Sequence, residues 1–190
     1  ITEDMFMALI SLILFKTIRG GTVFVPISAS HVIEKIAEEN EGKVIRTKTS
    51  LQDFMAKIIG NEVKQEMLEQ FTMHFDAMAG IIKILELMRM TKDKLSDMVD
   101  MIPDLHMKKT QVECPWDAKG KVIRQIIQEN EDKNIETLEG VKIYNDNGWV
   151  LVLPDAERPI CNIISESYND EFAEELTNIY ANKVREISRG

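Results

Sequence analysis

The segment from Gly148 to Pro159 constrains this chain most. It reads Gly-Trp-Val-Leu-Val-Leu-Pro-Asp-Ala-Glu-Arg-Pro, and Ile160 to Ile164 follows as a second apolar run. Trp149 to Leu153 are five β-favouring residues that alternate toward and away from a core, and Pro154 and Pro159 bracket a short loop. Proline has no amide to give a ladder, so the two prolines mark where pairing stops and resumes. The expectation is a strand, a loop standing at a sheet edge, and a strand that re-enters the same sheet.

Upstream, apolar residues repeat at helical spacing from Met5 to Ile13, and Gly20-Gly21 breaks the chain before the β-branched and aromatic run Thr22 to Ile27. Ser28 or Ser30 caps a helix with Val32, Ile33, Ile36 and Ala37 on one face, and Gly42 ends it ahead of a strand from Lys43 to Thr47. This βαβ order implies parallel strands. Ser50 with Asp53 forms a capping box for a helix through Ile59, which Gly60-Asn61 stops, and a polar stretch runs on to Gln70. From Asp76 the spacing of Ala77, Ile81, Ile82, Ile84, Leu85, Leu87 and Met88 predicts a long helix, and Leu95 to Met101 a shorter one that halts at Pro103.

A second domain starts there. His106 to Glu113 alternates as a strand, Cys114-Pro115-Trp116 turns the chain, and Val122, Ile123, Ile126 and Ile127 mark an amphipathic helix after Asp117. Ile135 to Leu138, Val141 to Tyr144 and Trp149 to Leu153 read as short strands, with Asn145-Asp146-Asn147-Gly148 as a hairpin turn. A last helix runs from about Asp170 to Ile187, acidic at its start and basic near its end. The expected fold class is α/β and α+β: a βαβ three-layer domain over 1–104, then a small domain of antiparallel sheet plus helices over 105–190.

The formal charge of −9, without a Lys/Arg cluster beyond Arg46 to Lys48 and Lys108-Lys109, argues against nucleic acid as a partner. Leu9 to Phe15 is too short to span a bilayer, and the acidic Glu3-Asp4 ahead of it are unlike a signal peptide, so neither a membrane nor secretion is expected. Cys114 and Cys161 read as buried thiols in a cytoplasmic protein. Because Ile1 falls inside a helical pattern, the chain reads as part of something longer. His31, His74 and His106 have no ligand spacing around them, so no metal site is expected. Arg46, Thr47 and Lys48 end a strand where open α/β sheets bind ligands; a residual anion contact and a plain strand end with solvated charges both stand. The 11 methionines fall mostly at apolar helical positions, as core or as a Met-rich docking face.

The loop frame, together with the βαβ unit, the Asp-Ala-Met-Ala helix from Asp76, Leu95-Ser96-Asp97-Met98-Val99-Asp100-Met101-Ile102-Pro103 and the small sheet with its terminal helix, resembles the C-terminal half, the third and fourth domains, of the α-D-phosphohexomutases. These are the phosphomannomutases and phosphoglucomutases. Cys114-Pro115-Trp116, Lys119 to Arg124 and Trp149 to Asp155 are similar to the mutase-like region fused behind nucleotidyltransferases in mannose-1-phosphate guanylyltransferase-like proteins. The resemblance implies sugar-phosphate metabolism, with hexose phosphate and upstream domains of the parent chain as partners, and an oligomer as one structural role.

The family's phosphate loop reads Arg-Pro-Ser-Gly-Thr-Glu-Pro. Here Leu153, Pro154, Asp155, Ala156, Glu157, Arg158 and Pro159 stand in those places, and only the prolines match. At an effective dielectric near 20, a carboxylate about 5 Å from a phosphate opposes binding by roughly 3 kcal/mol per unit charge before screening. Arg158 offsets one of the two carboxylates, so phosphate capture is expected to be disfavoured, millimolar at most. Asp155, Glu157 and Arg158 either pair among themselves or contact a partner domain. The family's Gly-Glu-x-Ser-Gly-His sugar loop has no counterpart in residues 61–74. Ser28-Ala29-Ser30-His31 is superficially similar to the family's phosphoserine motif Thr-Ala-Ser-His-Asn-Pro, but Val32-Ile33 replace Asn-Pro, and Ser30 reads as a helix cap. No catalytic residue and no cofactor are expected in this chain; Mg2+ would belong to the absent second domain of a mutase parent. The expectation is a catalytically silent chain with a structural or regulatory role. The alternative is the distal half of an active mutase that helps to bind hexose phosphate.

Overall fold

A computed structural model describes residues 1–59 and 65–190, and it divides into two compact units, Ile1–Leu105 and His106–Gly190. The first unit is built on two parallel strands, β1 (Thr22–Pro26) and β2 (Lys43–Thr47), in register from Thr22 opposite Lys43 to Pro26 opposite Thr47. Helices α1 (Glu3–Thr17) and α2 (Val32–Glu39) cover one face, where Val23 and Val25 meet Leu9, Ile13, Ile33 and Ile36 in a single core. Helix α3 (Leu51–Ile59) and helix α4 (Gln65–Phe75) lie on the other face, where Phe24 packs with Phe54, Met67 and Phe71. Helices α5 (Ala77–Thr91) and α6 (Leu95–Asp100) complete the unit and add Leu87 and Met98 to the core. The layering is helix, sheet, helix, as the crossover between parallel strands requires.

Local chemistry accounts for most of these boundaries. Asp76 accepts hydrogen bonds from the amides of Met78 and Ala79, both at 3.0 Å, and so starts α5. Ser50 accepts from the Asp53 amide at 3.0 Å and donates to the Asp53 carboxylate. Ser30 precedes the cap position, which His31 holds, and its hydroxyl accepts from the Val32 amide at 3.0 Å. Gly42 has no side chain because one would strike Phe15: a Cβ there would lie 2.2 Å from the ring.

One expectation needs correction. The sequence up to Gln70 reads as a polar stretch, yet α4 occupies 65–75. Met67, Gln70, Phe71 and His74 recur at helical spacing, and burial of Met67, Phe71 and Met73 offsets the polarity of the glutamates between them. Gln70 is fully buried, and its side-chain amide bonds both main-chain groups of Phe24: the Phe24 N–H donates to Oε1 at 3.0 Å, and Nε2 donates to the Phe24 carbonyl at 2.5 Å. The expected stop at Gly60-Asn61 lies outside the described residues.

The second unit is a five-stranded antiparallel sheet in the order β3-β7-β6-β5-β4. Its strands are β3 (Met107–Glu113), β4 (Ile135–Glu136), β5 (Val141–Asn145), β6 (Gly148–Pro154) and β7 (Ile160–Ser167). Helices α7 (Trp116–Gln128) and α8 (Asp170–Arg189) cover one face, and Val122, Ile126, Tyr180 and Val184 pack there on Val141, Val150, Val152 and Ile163. The Tyr180 hydroxyl donates to Asn130 at 2.9 Å and ties α8 to the turn that follows α7. The β5–β6 hairpin turns on Asp146-Asn147, with Asn145 opposite Gly148. Gly148 has φ +147, and a Cβ there would lie 2.0 Å from the Glu166 carbonyl oxygen, so only glycine fits.

Three details differ from the expected pattern. The strand predicted over Ile135 to Leu138 spans only Ile135–Glu136, and Leu138 is exposed. The residues of β6 do alternate in direction, but both faces are buried from Trp149 to Leu153. Val150 and Val152 meet the helices; on the other face the Trp149 indole N–H donates to Glu166 at 2.6 Å, and the buried Lys142 ammonium sits 3.7 Å from the indole centroid. Finally, β6 and β7 are interior neighbours, so their loop stands at the strand ends and not on a lateral edge strand.

Candidate functional site

The loop from Asp155 to Pro159 leaves β6 after Pro154, which pairs with Cys161, and returns at Ile160. Its ends are closed by two main-chain bonds, from the Asp155 N–H to the Ile160 carbonyl (3.0 Å) and from the Ile160 N–H to the Arg158 carbonyl (2.8 Å). Cys114, just beyond β3, holds the loop from one side by donating its N–H to the Pro159 carbonyl at 2.8 Å.

Within this frame the Asp155 carboxylate turns back into the loop. One oxygen accepts from the amides of Glu157 and Arg158, each at 2.9 Å, and the other accepts from the Arg158 guanidinium at 2.9 and 3.3 Å. An aspartate that bonds amides two and three residues on is a common loop-closing device, and the guanidinium adds a charge-assisted bond. The Asp155 side chain is 15% exposed and that of Arg158 57%. The Glu157 amide first, then the Arg158 guanidinium, hold the Asp155 carboxyl down at about 2.

Lys119, in the first turns of α7, supplies the remaining cation. Its ammonium donates to the carbonyls of Asp155 (2.6 Å) and Arg158 (2.5 Å) and lies 3.5 Å from the centroid of the exposed Trp116 ring. No spacing in the chain signals that Lys119 reaches the loop, because the contact spans 36 residues. Of the seven loop positions singled out from the sequence, Leu153 is a buried strand residue, Pro154 and Pro159 are the hinges, and Asp155 and Arg158 form an ion pair. Ala156 and Glu157 are exposed or nearly so at the tip. Cys114 and Cys161 are free, buried thiols beneath the loop, and burial pushes the Cys161 thiol up to about 12.

In the first unit, Arg46 is drawn inward. Its guanidinium bonds Glu34 twice (2.8 and 2.6 Å) and donates to the carbonyls of Pro26 (3.1 Å), Ala29 (2.7 Å) and Ser30 (3.1 Å). Thr47 is buried and donates to main-chain carbonyls, while Lys48 is exposed. The three residues therefore do not point their donors at one place. Ser30 is 1% exposed, with its hydroxyl against the Val32 amide. His74 is packed edge-on to Phe54, and its Nδ1 lies 2.9 Å from the Gln70 carbonyl; burial lowers its pKa. The place expected for a sugar loop is taken by α4 over 65–75, and residues 60–64 lie outside the described residues. Among the described residues no three His, Cys, Asp or Glu side chains gather as metal ligands, and no helix is long and apolar enough to cross a membrane.

No family model matches the chain. Among curated proteins, a phosphoglucomutase/phosphomannomutase of Thermococcus kodakarensis is 28% identical over all of this chain and 43% of its own length. A probable phosphoglucosamine mutase of Methanopyrus kandleri is 30% identical over 87% of this chain and 38% of its own. The similarity falls on the C-terminal portion of such mutases, and the chain spans less than half the length of these relatives. Among solved structures, a phosphoglucomutase/phosphomannomutase family protein from Burkholderia thailandensis superimposes with a TM-score of 0.67 at 13% identity, over 98% of this chain and 42% of its own. The Aspergillus fumigatus N-acetylphosphoglucosamine mutase, solved with GlcNAc-6P and magnesium, gives 0.67 at 13% identity, over 97% and 44%. The α/β and α+β architecture is thus that of the C-terminal part of a phosphohexomutase.

Proposed function

We propose that this chain is the phosphohexomutase-like C-terminal part of a sugar-phosphate or sugar-nucleotide protein, and that by itself it is catalytically silent. Its role is structural or regulatory: it packs against upstream domains, holds an oligomer, or senses a hexose phosphate at millimolar strength. One observation carries this reading. The donors that a phosphate loop would offer, two amides and a guanidinium, are engaged by the carboxylate of Asp155 in the same loop. The upstream domains are proposed to be a nucleotidyltransferase, on the likeness in Cys114-Pro115-Trp116 and Lys119 to Arg124, and the protein to be cytoplasmic. No cofactor is assigned to this chain. Mg2+ would be held by an upstream mutase domain if the parent has one.

A second reading is the distal half of a working mutase. The curated relatives described above are a phosphoglucomutase/phosphomannomutase and a probable phosphoglucosamine mutase, and in this chain two prolines bracket the loop between the paired strands β6 and β7. Purified chain mixed with mannose 1-phosphate or glucose 1-phosphate is expected to give no 6-phosphate in a coupled assay. Turnover that disappears on Ser30→Ala would overturn the silent reading. An upstream phosphoserine motif and Asp-Gly-Asp metal loop in the full-length gene would favour the mutase; a Gly-rich nucleotidyltransferase start would favour the fusion.

A further inference from the structure

The loop between β6 and β7 is closed on itself by hydrogen bonds. The amides of Asp155 and of Ile160, the first residue of β7, close the turn against main-chain carbonyls, and those of Glu157 and Arg158 converge with the Arg158 guanidinium on one carboxylate. Adjacent amides beside a fixed positive charge are the donor set of an anion receptor. Here the receptor's occupant is covalently attached. We infer that Asp155 is a resident ligand which fills an oxyanion site in cis and thereby excludes free phosphate and phosphate esters from it.

Three features support this assignment. Both Asp155 oxygens are engaged, one by amides and one by guanidinium, so the carboxylate mimics two oxygens of a phosphate rather than merely neutralising Arg158. An attached ligand has no translational freedom left to lose, so a free anion competes against a very high effective concentration. Lys119 binds the carbonyls of Asp155 and Arg158, on the main chain at both ends of the turn, which holds the path of the loop while leaving its amides directed at the carboxylate. With Asp155 in place, an incoming phosphate must displace this carboxylate and then sit beside its charge. Without it, the amides of Glu157 and Arg158 and the guanidinium are open to a free anion, and the loop's charge rises by one unit.

The inference deepens the reading of the loop as a mutase-type phosphate loop, so the probe is inorganic phosphate, whose binding does not depend on turnover. Amide spectra of the whole chain are recorded during titration with phosphate at constant ionic strength. The wild-type chain is expected to show no saturable shift at Glu157 or Arg158. Asp155→Ser, which keeps a short acceptor, is expected to show saturable shifts there, with affinity raised by about tenfold or more, the effect of removing one like charge next to the anion. Adding Arg158→Gln should abolish that gain. Asp155→Ala removes the acceptor altogether and leaves the Glu157 and Arg158 amides open; if serine disorders the turn or refills those amides, the gain must appear in the alanine variant instead. Equal phosphate binding by wild type and variants, or none by either variant with the turn intact, overturns the inference. The two proposals fail separately: turnover of hexose phosphate by the wild-type chain sinks the silent reading, whereas phosphate seated on the wild-type loop sinks this one.

Discussion

Replacing Arg46 with alanine tests whether this arginine is a structural clamp. The side chain is 12% exposed and joins Glu34 of α2 to the carbonyls of Pro26, Ala29 and Ser30 in the β1–α2 turn. The Pro26 carbonyl also accepts from the Ala29 amide at 2.9 Å, so its loss is partial. Losing the donor to the other two carbonyls costs about 1 kcal/mol each, and losing the Glu34 pair about 1 more because Glu34 is 33% exposed and rehydrates, giving roughly 3 kcal/mol. With a urea m-value of about 2 kcal/mol/M, the midpoint should fall by about 1.5 M, read by far-UV circular dichroism. Arg46→Lys should recover about 1 kcal/mol at most, since an ammonium cannot hold a carboxylate bidentately and reach carbonyls on its far side. Glu34→Gln should cost about 1 kcal/mol. A loss below about 1 kcal/mol for alanine, or full recovery by lysine, refutes the clamp.

The Asp155 carboxyl, held at about 2, keeps its loop contacts through pH 4 and loses them as pH falls through about 2. The Glu157 and Arg158 amide shifts should titrate with that midpoint, and a midpoint near 4 would mean that the contacts do not form. His74 has its pKa lowered by burial, so the neutral form stabilises the fold fully above the unfolded value of about 6.5, and that contribution is lost as pH falls below it. His74→Leu should flatten the stability slope between pH 5 and 7, and an unchanged slope would refute the assignment. Gly148→Ala should destabilise the second unit by at least about 2 kcal/mol, measured by tryptophan fluorescence in urea, because of its φ of +147 and the approach to the Glu166 carbonyl. A cost under about 0.5 kcal/mol would show that the hairpin relaxes freely.

Elements with a local signature were legible in the sequence. β1, β2, α2, α5 and the β5–β6 hairpin follow from apolar period, capping residues and turn glycines, all read over a few neighbours. Helix α4 was not, because its glutamates mask a stripe whose partners, Phe24 and Phe54, are remote in the chain. The inward pairing of Asp155 with Arg158 was one of two readings that the three-residue spacing allowed. Lys119 over the loop and Arg46 over the β1–α2 turn depend on long-range placement, and no spacing encodes that. A basic residue at a strand end looks the same in sequence whether it waits for an anion or holds up a neighbouring turn.

The bond pair between Gln70 and Phe24 has a consequence for assembly. The contacts of Gly21 and Ile27 with β2 direct odd-numbered main-chain groups inward, leaving Thr22, Phe24 and Pro26 on the outer border of β1. Proline has no amide to offer, and a glutamine headgroup imitates one peptide unit of a missing neighbour at Phe24. Among the described residues, a foreign strand sliding along that border meets an occupied rung at Phe24 and no N–H at Pro26, too broken a row to template further growth. The chain guards itself against polymerisation on that side with two residues, where a third strand would otherwise have to be supplied.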